Sequence, residues 1–396
     1  MTDDIAAVST NEQQRWAFPQ VRRVGSTIYV GLQVPGAELS SIEDQTHHVF
    51  KSLVSALESQ GGSMSDLTKL HTYYQFEGEG RDVTDYWEQM TAVRLQYLAN
   101  PGPAATALRI AGVWPASPLI GADGIGEVGG AKKRIMPDHA WDWSIPTPFS
   151  QGWLVGDKKV YVGGQISADR QGKALAAGDV VAQAKNALEY IRHVLVDAGS
   201  SWDDVVTLKI AYQHTGDENE SRALLQEIIK QAEERFPDNK PALIPFGVNL
   251  LYEGLVLEID ALAVKGRERR ALNAPGSQTW KAPEDNFEIA WQVGDEIYLG
   301  GISAPGGASL DAQLEASMGR VEETLRAASS DFCDIVKLNV YVSGDAKSAA
   351  RDLELVASTL ENFLEEGKTV VSVVRVEALP RPGQRVQVDG VAVTNQ

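Results

Sequence analysis

At 396 residues, 43% hydrophobic and 23% charged, the chain has the composition of a folded globular protein long enough for more than one core. Its formal net charge of −18 opposes attraction to nucleic acid or an anionic membrane, since both need Lys and Arg to replace counterions. A single cysteine, Cys333, excludes an internal disulfide and a thiolate metal cluster; with no signal-like start and no apolar run of roughly 18 residues, a cytoplasmic protein is expected.

Residues 1 to about 15 are polar and read as a frayed start. Residues 27–34 alternate as a strand. Over 40–61, Val49, Phe50, Leu53, Val54 and Leu57 have the spacing of an amphipathic helix stopped by Gly61-Gly62. Strand 67–75, helix 83–98 and strands 105–114 and 119–126 follow. The same order recurs with helices near 181–199 and 218–236 and strands near 206–213, 244–251 and 256–264. It recurs again with helices near 312–329 and 347–366 and strands near 336–342, 370–376 and 385–393. Each unit therefore reads as ββ-α-β-α-ββ, an α+β layer of one sheet with two helices on one face. Two basic stretches, 132–139 and 265–270, read as linkers between units.

Three landmarks support this division. Val24-Gly-Ser-Thr-Ile-Tyr-Val-Gly31, Val155-Gly-Asp-Lys-Lys-Val-Tyr-Val-Gly-Gly164 and Val293-Gly-Asp-Glu-Ile-Tyr-Leu-Gly-Gly301 are one strand-forming phrase, ending in glycines where another backbone or a ligand comes close. Asp66, Asp204 and Asp334 open a second phrase, and Asp123, Asp260 and Asp389 open a third. The intervals between them are 57, 56 and 55 residues (66 to 123, 204 to 260, 334 to 389). Three tandem units are expected, at 1–131, 140–265 and 280–396, each far longer than the roughly 20–50 residues of a solenoid repeat.

Phe149-Ser-Gln-Gly-Trp-Leu-Val-Gly-Asp157 and Tyr161-Val-Gly-Gly-Gln165, within a unit of this order, resemble the Rid family of reactive-intermediate deaminases. The resemblance extends three times over residues 15–395, apart from the linkers. It implies a chorismate-mutase-like α+β fold, with the units forming an intramolecular pseudo-trimer, sheets inside and helices outside, and clefts between neighbouring units. It also implies hydrolysis of small imines or enamines, without a cofactor or metal. Further association of the fused trimer stays open.

Family clefts grip the substrate carboxylate with an Arg in a Pro-Ala-Arg-Ser/Thr strand, position water with a Glu on the last strand, and close the pocket with a Tyr. Here the Arg position falls on Ala105, Leu243 and Val371, and the Tyr position on Phe18, Phe149 and Phe287. The Glu position falls on Asp123, Asp260 and Asp389, and Gly31, Gly164 and Gly301 stand at the strand ends beside the clefts. Losing the guanidinium removes a contact of about 1.5–3 kcal/mol, so a simple iminoacid is not the expected substrate. The aspartates are either acid/base groups acting on water, if burial raises their pKa, or strand-end groups satisfying turn N–H donors. Arg109 and Arg375 share a position four residues past the lost Arg, where the second unit has Gly247. Each is a relocated anion grip or an exposed strand Arg. The alternative to an enzyme is a small-molecule binder that kept the fold and lost the chemistry.

Other motifs carry less. Gly124-Ile-Gly-Glu-Val-Gly129 has dinucleotide-fingerprint spacing but no helix after it. His47 and His48 point about 100° apart on a helix and cannot share a metal. His71 occupies the slot of Lys209 and Asn339 and is a candidate base of the first unit alone. Trp141, Trp143 and Trp153 are packing residues or an aromatic wall for a planar substrate.

Overall fold

The computed structural model describes residues 17–36, 38–78, 81–113, 118–138, 147–169, 173–266, 268–272 and 286–394. Gly25, with φ +59°, takes the left-handed turn that folds Val21–Val24 (β1) onto Thr27–Gln33 (β2). Ile42–Ser59 (α1) follows. Its start is capped by Ser41, whose Oγ accepts from the Asp44 amide at 3.0 Å, and the chain leaves it through Gly61 at φ +72°. Leu67–Tyr74 (β3), Arg81–Arg94 (α2), Ala104–Arg109 (β4), Gly112–Val113 (β5) and Ile120–Glu127 (β6) come next, and β4 runs parallel to β3. The first sheet has the order β1-β2-β6-β3-β4. Val49, Phe50, Leu53 and Leu57 of α1 bury their side chains against it, which is why that helix shows the amphipathic period.

The second sheet is built from Lys132–Ile135 (β7), Gly152–Val155 (β8), Lys159–Val162 (β9), Val205–Gln213 (β10), Ala242–Val248 (β11) and Leu257–Val264 (β12). Its order is β11-β10-β12-β9-β8-β7, with Val180–Asp197 (α3) and Glu218–Glu233 (α4) against one face. Asp179 and Asp217 cap those helices. The third sheet holds Arg269–Ala271 (β13), Ala290–Val293 (β14), Glu296–Ile302 (β15), Ile335–Ser343 (β16), Val370–Val376 (β17) and Val386–Val393 (β18). Its order is β13-β14-β15-β18-β16-β17-β5, with Leu310–Ala327 (α5) and Ala349–Leu360 (α6) packed on it.

Three sequence expectations need correction. Both basic stretches expected as linkers contain strands: β7 pairs with β8 from Lys132↔Val155, and β13 with β14 from Arg269↔Val293. Their Lys and Arg side chains sit on sheet edges, where charge opposes pairing with a further chain. The expected strand over 105–114 divides, because β5 leaves the first sheet and pairs with β17 of the third (Val113↔Val374). The last helix stops at Leu360 instead of running to 366.

The sheet faces away from the helices meet in one core with residues from all three sheets, including Leu32, Tyr73, Ala211, Phe246, Tyr341 and Val374. Phe246 stacks on Tyr341 with ring centroids 4.5 Å apart. Backbone bridges Ala104↔Ser150 and Ala242↔Glu288 join consecutive sheets at their edges. Trp153 is buried at the first of these junctions, its Nε1 donating to the Gly102 carbonyl at 2.9 Å; Trp141 and Trp143 lie outside the described residues. Among the described residues no helix is long and apolar enough to cross a membrane.

Candidate active cleft

Asp123, Asp260 and Asp389 converge in the shared core rather than on an open cavity wall, and each is at most 7% exposed. Lys69 Nζ donates to Asp260 at 2.9 Å and Lys337 Nζ to Asp123 at 3.1 Å. His71 bridges the two carboxylates, its Nδ1 3.0 Å from Asp123 and its Nε2 3.3 Å from Asp260. Asn339 Nδ2 donates to Asp389 at 2.9 Å. Burial pushes the Asp123 and Asp260 carboxyls up, but the lysine and His71 contacts outweigh it and hold both well below the usual carboxylate range. The Tyr73 phenol is pushed far up by burial first and then by all three carboxylates. The Asp123 and Asp260 carboxyls therefore stay ionised at any working pH, the opposite of what a proton shuttle needs.

The edges between units form three junctions of similar build. Amides of Gly31, Gly163 and Gly300 donate to the carbonyls of Gln20, Gln151 and Ile289, all at 2.8 Å. Gly31 thus corresponds to Gly163 and Gly300, and the next position carries Leu32, Gly164 and Gly301. The Arg-position residues approach from the preceding sheet: Gly164 N donates to the Ala105 carbonyl at 2.9 Å, while Gly300 lies against Leu243 and Gly31 against Val371. Each junction receives one residue from the last strand of its unit, two before the recurring aspartate: Gly121, Glu258 or Gln387.

These three differ in chemistry. At Gly121 the space is filled: a Cβ there would lie 2.9 Å from Val113 and 3.0 Å from Leu32. At Gln387 the junction opens into a cavity of about 420 Å³, with Leu243, Phe287 and Gly301 on its wall. At Glu258 a carboxyl enters the junction. It lies over Gly164, where a Cβ would come 1.8 Å from Glu258 Oε1, so a larger residue there would displace the glutamate side chain. Glu258 as a residue is partly exposed. Burial first, and the nearby Asp260 charge second, push Glu258 up to about 8, against the Ala107 N–H and Lys69, which favour the anion. Leu-Glu-Ile-Asp260 puts both carboxylates on one face of β12. Their outcomes diverge because Asp260 is paired with a lysine and Glu258 is not.

Aromatic residues surround the Glu258 junction. Phe149 and Tyr252 pack with Tyr74 and Trp87 of the first unit, and Tyr190 and Tyr252 pack with Ile166 and Leu255 of the second. Buried Arg94 lies 4.0 Å from the Trp87 ring centre and 5.0 Å from that of Phe149, bonded to Thr72 and Thr91. Burial lowers it to about 9. The Tyr74 phenol is raised by burial first and by Glu258 next, and lowered in turn by Arg94.

Other expected site residues are placed as follows. Phe18 and Val371 are buried in the third unit's core, and Phe287 is 1% exposed beside the open cavity. Neither Arg109 nor Arg375 is an exposed strand Arg. Arg109 donates to the carbonyls of Phe76 and Gly78 at 3.0 and 2.9 Å, and Arg375 to that of Ala111, so both guanidiniums hold loops. His47 bonds Tyr97. The Cys333 thiol is pushed up to about 11, chiefly by Asp331, which makes it a poor nucleophile. Sequence reasoning passed over Glu258 because it does not recur. Its only sequence signal is the period-2 partnership with Asp260.

Glu258 is thus a carboxyl raised above its ordinary range where the first and second sheets meet. The family described as Endoribonuclease L-PSP matches residues 144–265, the unit that carries Glu258. A human protein named 2-iminobutanoate/2-iminopropanoate deaminase is 34% identical over 119 residues, 30% of this chain and 81% of that one. A RutC family protein of Pyrococcus abyssi is 31% identical over 118 residues, 30% of this chain and 87% of that one. The chain belongs to the Rid family. A chorismatase crystal structure resembles 83% of this chain and 93% of its own at a TM-score of 0.52 and 11% identity, a likeness of fold alone.

Proposed function

We propose that the protein is a fused pseudo-trimer of Rid-like units, and that it hydrolyses the C=N bond of a small imine or enamine at the junction entered by Glu258. The observation that carries this reading is the Glu258 carboxyl, raised to about 8 and lying over Gly164. Near pH 7 it is largely protonated, and it is poised to move a proton in either direction. Glu258 gives its proton to the imine nitrogen. The resulting carboxylate takes a proton from water as the water oxygen bonds to the iminium carbon, forming a carbinolamine. Glu258 then gives that proton to the amine nitrogen, the C–N bond breaks as the hydroxyl proton passes back to the Glu258 carboxylate, and a carbonyl compound and ammonia leave with Glu258 protonated again.

Ala105 at the family's Arg position, and aromatic Phe149, Trp87 and Tyr252 around the junction, favour a substrate with an apolar or aromatic body over a small iminoacid. On this reading Asp123, Asp260 and Asp389 fix how the units sit together. The edge strands β7 and β13 extend the second and third units beyond the expected boundaries of 140 and 280.

The test is turnover of aliphatic and aromatic imines generated in situ, by the wild type and by Glu258→Gln, Asp123→Asn, Asp260→Asn and Asp389→Asn. Loss of turnover in the Glu258 variant while folded aspartate variants retain it supports the assignment. Wild-type protein that binds imines without turning any over faster than buffer would make it a binder.

A further inference from the structure

The cavity at the Gln387 junction differs in charge from the Glu258 junction, although similar elements build both. Arg320 stands ten residues into α5 (Leu310 to Arg320), where Tyr190 stands ten residues into α3 (Val180 to Tyr190). Arg381 precedes β18 by five residues (381 to 386), where Tyr252 precedes β12 by five (252 to 257). Two tyrosines at one junction are thus two arginines at the other. With Arg222 and Lys230 of α4, four cations line the cavity against two carboxylates, Glu233 and Glu288. Glu233 is itself engaged from outside, 3.6 Å from Lys240 and 3.2 Å from Asn286. In a chain of net charge −18, this is a local reversal of sign.

The Arg320 side chain and the Arg381 backbone are both anchored. Arg320 donates to the Ser303 carbonyl. Arg381 lies between Pro380 and Pro382, which stiffen its backbone, and its amide donates to the buried Gln384 side chain at 3.1 Å. Burial, and then the Arg381 charge, lower the Arg320 pKa, so the two guanidiniums repel one another across the site. Leu225, Ile229, Leu243, Pro245 and Phe287 supply an apolar wall.

We infer that this cavity is a second ligand site, for an organic carboxylate with an apolar body, gripped by Arg320 and Arg381 and left unhydrolysed because Gln387 replaces the carboxyl of the other junction. The about 420 Å³ suits a ring or short branched chain with its acid group. Gln387 donates to the Pro245 carbonyl at 3.0 Å and is neutral, so it neither repels the anion nor titrates. The site does not depend on Glu258.

Calorimetric titration of the full chain with phenylacetate, with its neutral isostere phenylacetamide, and with inorganic phosphate tests the inference. Phenylacetate is expected to bind one site per chain at least about tenfold more tightly than either control. Arg381→Gln and Arg320→Gln should each weaken it by about tenfold or more, while Glu258→Gln leaves it unchanged. If Arg320→Gln fails to fold, by circular dichroism, Arg381→Gln decides. The inference is overturned if wild type binds phenylacetate no better than phenylacetamide, if Arg381→Gln binds as well as wild type, or if Glu258→Gln abolishes binding. Imine turnover lost in Glu258→Gln with phenylacetate binding intact separates the two junctions.

Discussion

Glu258→Gln should make the protein more stable and less active, and the stability gain should depend on pH in a stated direction. Glu258 has an ordinary value of 4.5 and is raised to about 8 in the fold. Between those values the native state holds a proton that the unfolded chain has lost, so stability falls as pH rises, by about 1.4 kcal/mol per unit. At pH 7 the gap from 4.5 is 2.5 units, an upper limit of roughly 3.4 kcal/mol, which the partial exposure of the residue reduces to about 2–3 kcal/mol. Gln is neutral at every pH and similar in shape, so the variant escapes this penalty. Urea unfolding followed by tryptophan fluorescence at pH 4, 5.5, 7 and 8.5 should show no difference at pH 4 and a gap that widens up to about pH 8. Imine turnover should fall by about 10²–10⁴. A variant less stable by the same amount at every pH, or one that keeps wild-type turnover, would refute a raised and catalytic carboxyl.

Gly164→Ala should reduce turnover without unfolding the chain, because the new Cβ falls 1.8 Å from Glu258 Oε1 and only the glutamate side chain has to move; unchanged kcat with an unchanged circular-dichroism spectrum would count against the site. Asp260→Asn should cost about 3–5 kcal/mol by leaving Lys69 buried without its counter-charge, read as a shifted denaturation midpoint. Asp123 and Asp260 have folded values below their ordinary 3.8, so the stability they contribute is complete above about pH 4 and is lost as pH falls below it. Thermal melts from pH 5 to pH 2 should drop steeply, and less so in Asp123→Asn; parallel curves would contradict the pairing.

The sequence displays features whose cause is local. The apolar spacing of α1 and the hairpin glycines Gly25 and Gly294 each depend on residues a few positions away, and each is where the pattern puts it. What was misread depends on distant partners. Lys69 reaches Asp260 across 191 residues, and Lys337 reaches Asp123 across 214. The aspartates were therefore visible as a recurrence while their counter-ions were not, and without those they resemble cleft carboxylates. The basic edge strands misled for the same reason, since Lys-Lys-Arg-Ile becomes a strand only beside β8. Recurrence also drew attention to groups that the shared core pairs, whereas Glu258, the carboxyl of the proposed site, stands alone between Gly121 and Gln387.

On the proposed reading, fusion of three units would let both behaviours coexist. In a trimer of identical chains any substitution alters all three junctions, so a filled junction, an acidic one and a cationic one are mutually exclusive. In one chain each position varies alone, so the junctions are free to diverge. The shared core is not, because its buried carboxylates need cations close by. Lys69 and Lys337 supply two, and the corresponding position of the second unit is Thr207, which has no charge. Lys209, two residues further along β10 and on the same face, adds a cation whose charge acts on Asp123 and Asp260, while Asp389 accepts from neutral Asn339. That separation predicts which substitutions the fold tolerates: Gln387→Glu changes a junction and should leave stability within about 0.5 kcal/mol at pH 5, whereas Lys209→Met leaves the core one cation short and should cost about 3 kcal/mol or more by urea denaturation. Equal effects of the two would mean that junction and core are not energetically distinct.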